Sequence, residues 1–284
     1  MYKRQILCDI ALPNAGIITN IGTAHIEHLG SIAEIFKEKA TLFYEVKRNS
    51  PESGFFVVNG ADEYLKSLDW PNHLMKFNSP DSKIKAVIEK NKISITFDKV
   101  NYELENDHVI GSHNFYNLAV CFLMAMHIYP DKGSQLQEAV KSFRPRGNRS
   151  MFIERNNKKI FMDAYNANLD SMQASLQGYW DFLKNSNLDY NEALFILGDM
   201  NELGNYAEEY HGKIGSLLKA QGVRNVIFVG RFSAYYQKGY GDICTTVTTK
   251  AELEKNWSKI AAPFQHIFLK ASRSLQLETL LDIT

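Results

Sequence analysis

Residues 159–185 read KIFMDAYNANLDSMQASLQGYWDFLKN, and their order decides the fold of the second half of the chain. An apolar run ends in Asp163. A polar turn follows, and then Leu169, Met172, Leu176 and Leu183 recur near one face at helical spacing. The same rhythm returns downstream. EALFILGD (192–199) is a second apolar run, followed by the helical stretch AEEYHGKIGSLLKAQG (207–222), whose last glycine suits a C-terminal turn. NVIFVG (225–230) and HIFLKAS (266–272) are further strands, the latter leading into LQLETLL (275–281). Strands that are apolar throughout and alternate with helices predict a parallel sheet covered on both faces.

The first half has a different rhythm. A strand is expected from Ala15 to Ile21 and a helix from about Ser31 to Val46. Four short runs follow, GFFVVNG (54–60), LMKFNS (74–79), ISITFD (93–98) and NYELEN (101–106), and read as an antiparallel meander. GSHNFYNLAVCFLMAMHIY (111–129) returns to helix, with Phe115, Leu118, Ala119, Phe122 and Met126 on one stripe. The join falls in FRPRGNRS (143–150), where Pro145 and Gly147 punctuate a basic segment.

The 284 residues suffice for two cores, and 32 basic residues balance 32 acidic ones. A general nucleic-acid or membrane-surface binder needs a concentrated basic face, which this balance disfavours. No apolar run approaches a membrane span, and Asp9 interrupts the short apolar stretch near the start, which argues against a signal peptide. The three cysteines, Cys8, Cys121 and Cys244, are odd in number and widely spaced, and read as buried thiols in a reducing cytoplasm.

His25 follows the strand-like run GIITNIG (16–22). It reads either as a core or turn histidine or as a ligand, because open α/β sheets bind ligands beyond the carboxyl ends of their strands. A neutral imidazole can hold a metal. Mg2+ prefers oxygen, so anionic oxygens must come from elsewhere. A neutral lysine amine reacts with CO2 to give a carbamate, and lysines shift pKa readily when buried. Lys39 in EIFKEKATLF (34–43) could therefore supply them, although alone Lys37 and Lys39 read as solvated helix lysines paired with Glu34 and Glu38.

Other strand ends offer similar choices. Asp163 can accept ribose hydroxyls, while Asn166 and Asn168 offer amides to phosphate or base, or form a turn and a helix cap. Arg149 suits phosphate or ribose contacts, or is a linker arginine at the surface. Asp199 and Glu202 could hold a cationic amine. Lys270 ends a strand, and Ser272, Arg273 and Ser274 open a helix, together making a carboxylate site. His211 reads as a helix-surface residue.

TNIGTAHIEHLGS (19–31) followed by KEKATLF (37–43) resembles the Mur ligase family, the ATP-dependent amino-acid and peptide ligases of bacterial cell-wall synthesis. GSHNFYNLAV (111–120) looks like the family's adenine-side helix, carrying His113, Asn114 and Asn117. DAYNANLDSM (163–172), LGDMNELG (197–204) and KASRSLQLE (270–278) are similar to the branch that adds D-alanyl-D-alanine to a UDP-N-acetylmuramoyl-tripeptide. These motifs occur in matching order over nearly the whole chain.

The resemblance implies an α/β fold. Residues 1–147 would be a partial central mononucleotide-binding domain with a small antiparallel β-meander, and residues 148–284 a Rossmann-like doubly wound domain. It implies His25 and carbamylated Lys39 as catalytic metal ligands for Mg2+. His113, Asn114, Asn117, Arg149, Asp163 and Asn166 would contact ATP. Asn168, Asp199, Lys270, Ser272 and Arg273 would contact substrate, with the KASRS segment taking the free carboxylate of D-Ala-D-Ala. The implied reaction is activation of the tripeptide carboxylate as an acyl phosphate and its capture by the dipeptide amine, in the cytoplasm, with no nucleic-acid partner and no membrane insertion. Two alternatives stand beside it: a non-catalytic partner module, and a sister amide ligase of the folylpolyglutamate or cyanophycin synthetase type, which should lack the DAYNAN and KxSRS pair.

The chain departs from the family pattern at Leu169, where proline is usual, at Asn148, which separates Gly147 from Arg149, and at Ala271, which replaces glycine. A phosphate-cradling GxxxxGK[ST] loop appears nowhere in these residues. The family carries that loop, a UDP-sugar domain and a metal-binding glutamate ahead of the LCDIALPNAG segment (7–16). The expectation is therefore an N-terminally truncated member without ligase turnover of its own, or one whose missing N-terminal part is a separate chain.

Overall fold

In the computed structural model, which describes residues 3–79 and 84–283, the chain divides into two units: Met1–Asp107 with Ser112–Phe143, and His108–Gly111 with Arg144–Thr284. The first unit runs α1 (Lys3–Ala11), β1 (Ala15–Ile18), α2 (Ile26–Leu29), α3 (Ile32–Asn49), β2 (Phe55–Asn59), β3 (Leu74–Phe77), β4 (Lys85–Glu89), β5 (Lys92–Phe97), β6 (Val100–Glu105), α4 (Ser112–Ile128) and α5 (Gly133–Ser142). Ser31 starts α3 because its extended backbone lets Oγ accept the Glu34 N–H at 3.2 Å. The inner face of α3, including Ile35, Ala40, Phe43 and Val46, is buried. Phe43 meets Phe56 edge-on with ring centroids 5.2 Å apart.

The meander is not composed as its sequence suggested. β2 and β3, the GFFVVNG and LMKFNS runs, are parallel and extend β1 into a sheet of order β1-β2-β3. Phe55, Phe56, Val57 and Val58 are all buried, the mark of a strand covered on both faces. The polar stretch between β2 and β3 holds a 3-10 turn, Leu65–Ser67, which makes a crossover where a hairpin turn was expected. The antiparallel meander consists instead of β4, β5 and β6. In β5, Ile93 and Ile95 are buried while Ser94 and Thr96 are not, the alternation of a one-faced strand.

The second unit runs β7 (Met151–Arg155), β8 (Lys158–Asp163), α6 (Leu169–Asn185), β9 (Ala193–Gly198), α7 (Ala207–Ala220), β10 (Val226–Val229), α8 (Ser233–Tyr240), β11 (Thr245–Val247), α9 (Lys250–Lys255), α10 (Trp257–Ala261) and β12 (His266–Lys270). Its sheet has the order β11-β10-β9-β12-β8-β7, parallel except for the β7 edge. One face packs Ile160, Met162, Leu194, Ile196, Ile267 and Leu269 against Leu253, Trp257 and the C-terminal leucines. On the other, Phe161, Phe195 and Phe268 stack under Tyr179 of α6, with centroids 5.2–5.7 Å from it. Two packed faces explain why successive residues in the middle of these strands, 160–162, 194–197 and 267–269, are all apolar.

β12 inserts between β9 and β8, so Lys270 lies in register with Asp163 on one side and Leu197 on the other. Gly198 must be glycine, since a Cβ there would come within 2.7 Å of the Ala271 Cβ. Of the cysteines, only Cys8 is buried; Cys121 is exposed and Cys244 partly so, because α4 turns Cys121 away from its apolar stripe. Among the described residues, no helix is long and apolar enough to cross a membrane.

Candidate functional site

Asp163 and Lys270 end neighbouring strands of the second unit, and the structure joins them directly. Lys270 Nζ donates to Asp163 Oδ2 at 2.5 Å and to the Asn166 carbonyl at 3.3 Å. Ser175 Oγ donates to the same carboxylate oxygen, and the Ser150 N–H to Oδ1 at 3.1 Å. Burial would push the Asp163 carboxyl up. The Lys270 ammonium and these hydrogen bonds outweigh it and hold the group below the usual carboxylate range. Both residues expected to meet ligands at this point are thus occupied within the unit.

Arg149 sits in the loop before β7, whose backbone takes left-handed values at Gly147, Asn148 and Ser150. Asn148 tolerates that conformation, which accounts for its place beside Gly147. The Asn148 carbonyl accepts the Ala164 N–H at 2.8 Å, strapping the loop to the end of β8. The Arg149 guanidinium lies 3.7 Å over the exposed Tyr165 ring, a cation–π stack. Asn166 is exposed, and Asn168 forms a capping box with Ser171 that starts α6. Tyr165 was not singled out from sequence, although it lies inside the DAYNAN stretch. Ser175 had its own signal, a hydroxyl on the buried stripe of α6.

A second convergence lies at the ends of β9, β10 and β12. The Asp199 carboxylate accepts the Phe232 N–H at 3.0 Å and the Arg231 N–H at 3.2 Å, and burial pushes its carboxyl up. The Asp199 carbonyl accepts the Ser272 N–H at 2.9 Å, while Ser272 Oγ accepts the Asn201 N–H at 2.9 Å. Asn201 Nδ2 donates to Ser274 Oγ at 2.8 Å. The expected helix after Ser272 is only a 3-10 turn, Arg273–Leu275, because Gln276 adopts a left-handed backbone directly after it. Arg273 pairs with Glu278. Asn201 and Arg231 were missed by the sequence reading; Arg231 is the first side chain past the NVIFVG strand, the same signal that picked out Asp163.

His211 is not on the surface but fully buried. Its Nδ1–H donates to the Ala207 carbonyl at 2.6 Å, and Nε2 accepts the Met200 N–H at 3.0 Å. Burial holds the imidazole down at about 4, so it stays neutral and anchors the LGDMNELG loop.

In the first unit His25 and Lys39 line one cavity of about 320 Å3, together with Arg4, His28 and Glu38. His25 is exposed at the start of α2 with a left-handed backbone (φ 64°), which turns the chain sharply after the strand. Lys39 Nζ donates to the Asn20 carbonyl at 2.9 Å. Among the described residues no three His, Cys, Asp or Glu side chains form a metal cage. The donor set nevertheless suits a hard cation in part, since Glu38 adds carboxylate oxygen to the His25 imidazole. Arg4, His28 and Glu38 were not assigned to this site from sequence. His113 and Asn114 lie in the first turn of α4 and are half-buried, Asn117 follows exposed, and none lines the cavity.

Polar side chains gathered beyond the carboxyl ends of parallel strands define a two-unit α/β protein of the ligand-binding type. Residues 2–125 match the Mur ligase middle domain and residues 148–273 the Mur ligase glutamate ligase domain. The chain belongs to the Mur ligase family. It is similar to the UDP-N-acetylmuramoyl-tripeptide–D-alanyl-D-alanine ligase of Bacillus subtilis strain 168, at 25% identity over 96% of this chain and 60% of the relative. The ligase of that name from Synechocystis sp. is 28% identical over 77% of this chain and 45% of its own length. The fold matches MurF from Acinetobacter baumannii with a TM-score of 0.80 at 21% identity, over 98% of this chain and 61% of that one. It also matches the MurF ligase of Thermotoga maritima in complex with ADP, with a TM-score of 0.77 at 20% identity, over 98% and 62%. The chain thus spans 60% of the length of the Bacillus relative.

Proposed function

We propose that this chain is the central and C-terminal part of an ATP-dependent, ADP-forming ligase that joins D-alanyl-D-alanine to UDP-N-acetylmuramoyl-tripeptide in the cytoplasm. ATP phosphorylates the terminal carboxylate of the tripeptide, and the dipeptide amine displaces phosphate from the acyl phosphate to form the amide. The observation that carries this reading is that both units match Mur ligase domains and that relatives named for this one reaction align across them. The functional boundary is proposed at residues 147/148, and the segment that completes the nucleotide site, with its phosphate-binding loop, lies outside these residues, on the same polypeptide or a separate one.

Each group of side chains has a task in this reading. His25 and Lys39, the latter as its carbamate, would hold Mg2+, whose charge offsets that of phosphate and carboxylate oxygens when bound. His113, Asn114 and Asn117 serve the adenine side. Arg149, pre-oriented by its stack on Tyr165, offers a planar fork to nucleotide phosphate or ribose. The Asp163–Lys270 pair fixes the ends of β8 and β12, and with them Asn166 and the Ser272 turn. Asp199, Asn168, Ser272 and Arg273 border the dipeptide.

Calorimetry on the chain tests the reading. ADP and D-Ala-D-Ala are each expected to bind; a chain that bound neither would be a partner module derived from the family.

A further inference from the structure

Three cations stand near the ends of β9, β10 and β12 in the second unit, and two of them are committed. Lys270 shows 1% of its side chain to solvent and is bonded to Asp163. Arg273 is paired with Glu278. Arg231 differs. Its side chain is exposed, and its guanidinium touches Asn201 Oδ1 at 3.5 Å and the face of Phe232 at 4.4 Å, while its charge favours the ionised form of the nearby Asp199 carboxyl without an ion pair between them. It forms no salt bridge with a described carboxylate.

We propose that Arg231 binds the free carboxylate of the incoming D-alanyl-D-alanine, beside the Asn201, Ser272 and Ser274 side chains. The assignment rests on the dipeptide reading of this unit and changes which cation serves it. Backbone geometry holds the residue in place: Gly230, at φ 116°, lets the chain pass so close to Asp199 that a Cβ would lie 2.5 Å from its carboxylate. The Arg231 and Phe232 N–H groups then bond that carboxylate, which aligns the start of the loop. The stack on Phe232 restrains the guanidinium, so little side-chain freedom is lost when a carboxylate docks. Four of its five N–H donors remain for a two-pronged contact. Ser272 and Ser274 are joined to Asn201 and add neutral polar groups, while the one carboxylate named here, Asp199, is already held by the Arg231 and Phe232 N–H groups.

Nuclear magnetic resonance titration of the chain with D-Ala-D-Ala and with its C-terminal amide tests the assignment. The wild type is expected to prefer the acid. Arg231→Gln should weaken acid binding about ten- to a hundredfold and leave the amide unchanged, so the preference disappears. Arg231→Lys should restore part of the acid affinity, because charge returns without the fork, and Arg273→Gln should keep the preference. An unaltered acid-to-amide ratio in Arg231→Gln would overturn the assignment and leave the dipeptide reading standing. A wild type that binds neither form would remove the dipeptide reading and the assignment together.

Discussion

The ammonium of Lys270 lies 2.5 Å from Asp163 Oδ2, with 1% of the lysine side chain and 11% of the aspartate side chain reaching solvent. Their strands, β12 and β8, are neighbours in the sheet although 107 positions separate the two residues. Removing one partner leaves the other charge buried. Lys270→Met is expected to cost about 3–5 kcal/mol of stability. Combining it with Asp163→Asn should cost less than the sum of the single changes, with a coupling of about 0.5–3 kcal/mol. Urea unfolding of the four proteins checks this, and strict additivity would show that the pair is not coupled.

The Arg149–Tyr165 stack lies at the surface, so its loss should act on ligand affinity more than on folding. Arg149→Ala is expected to weaken ADP binding about tenfold while changing stability by no more than about 0.5 kcal/mol. Tyr165→Ala should weaken it about two- to fivefold, matching the ~0.5–1 kcal/mol of an exposed cation–π contact. Calorimetry and thermal unfolding on the same samples separate the two effects.

His211 gives the fold an acid-sensitive point. Its imidazole titrates at about 4 in the folded chain against a usual value of 6.5, since burial disfavours the charged form. The unfolded chain therefore takes up the proton first as pH falls. The contribution is complete above about pH 6.5 and drains away between there and pH 4. Between pH 7 and 5 it should amount to about 2 kcal/mol, at ~1.4 kcal/mol per unit. His211→Gln should be less stable at pH 7 and flatten this part of the pH profile; an unchanged slope in denaturant titrations would contradict it.

The cavity holding His25 and Lys39 should take a divalent ion more tightly when bicarbonate is present. Titration with Mn2+ followed by electron paramagnetic resonance is the readout. Bicarbonate is expected to strengthen binding about tenfold in the wild type, with no effect in Lys39→Ala, and His25→Ala should weaken binding by a similar factor. Equal bicarbonate dependence in wild type and Lys39→Ala would exclude the carbamate.

The motif DAYNAN was legible because a strand, a turn and a helix each leave a local mark: apolar run, asparagines, 3.6-residue spacing. Asn168 needed only its neighbour Ser171 to become a cap. His211 was misread for the same reason, since helical spacing names a face and not what covers it. The misplacement of β2 and β3 in the meander has a like origin, because a short apolar run such as FFVV (55–58) is compatible with several partners.

By itself, the sequence determined the alternation of strands and helices, the helix start near Ser31, the cap at Asn168, and the strand ends that present polar side chains, all set by interactions within a few residues. Only the tertiary structure decided that β12 inserts between β9 and β8, which makes Lys270 a partner of Asp163 and leaves Arg231, unlike the equally exposed Arg273, without an ion pair to a described carboxylate. Strand order depends on which buried faces pack together across the whole unit, and a charge acquires its role from neighbours that folding brings from far along the chain.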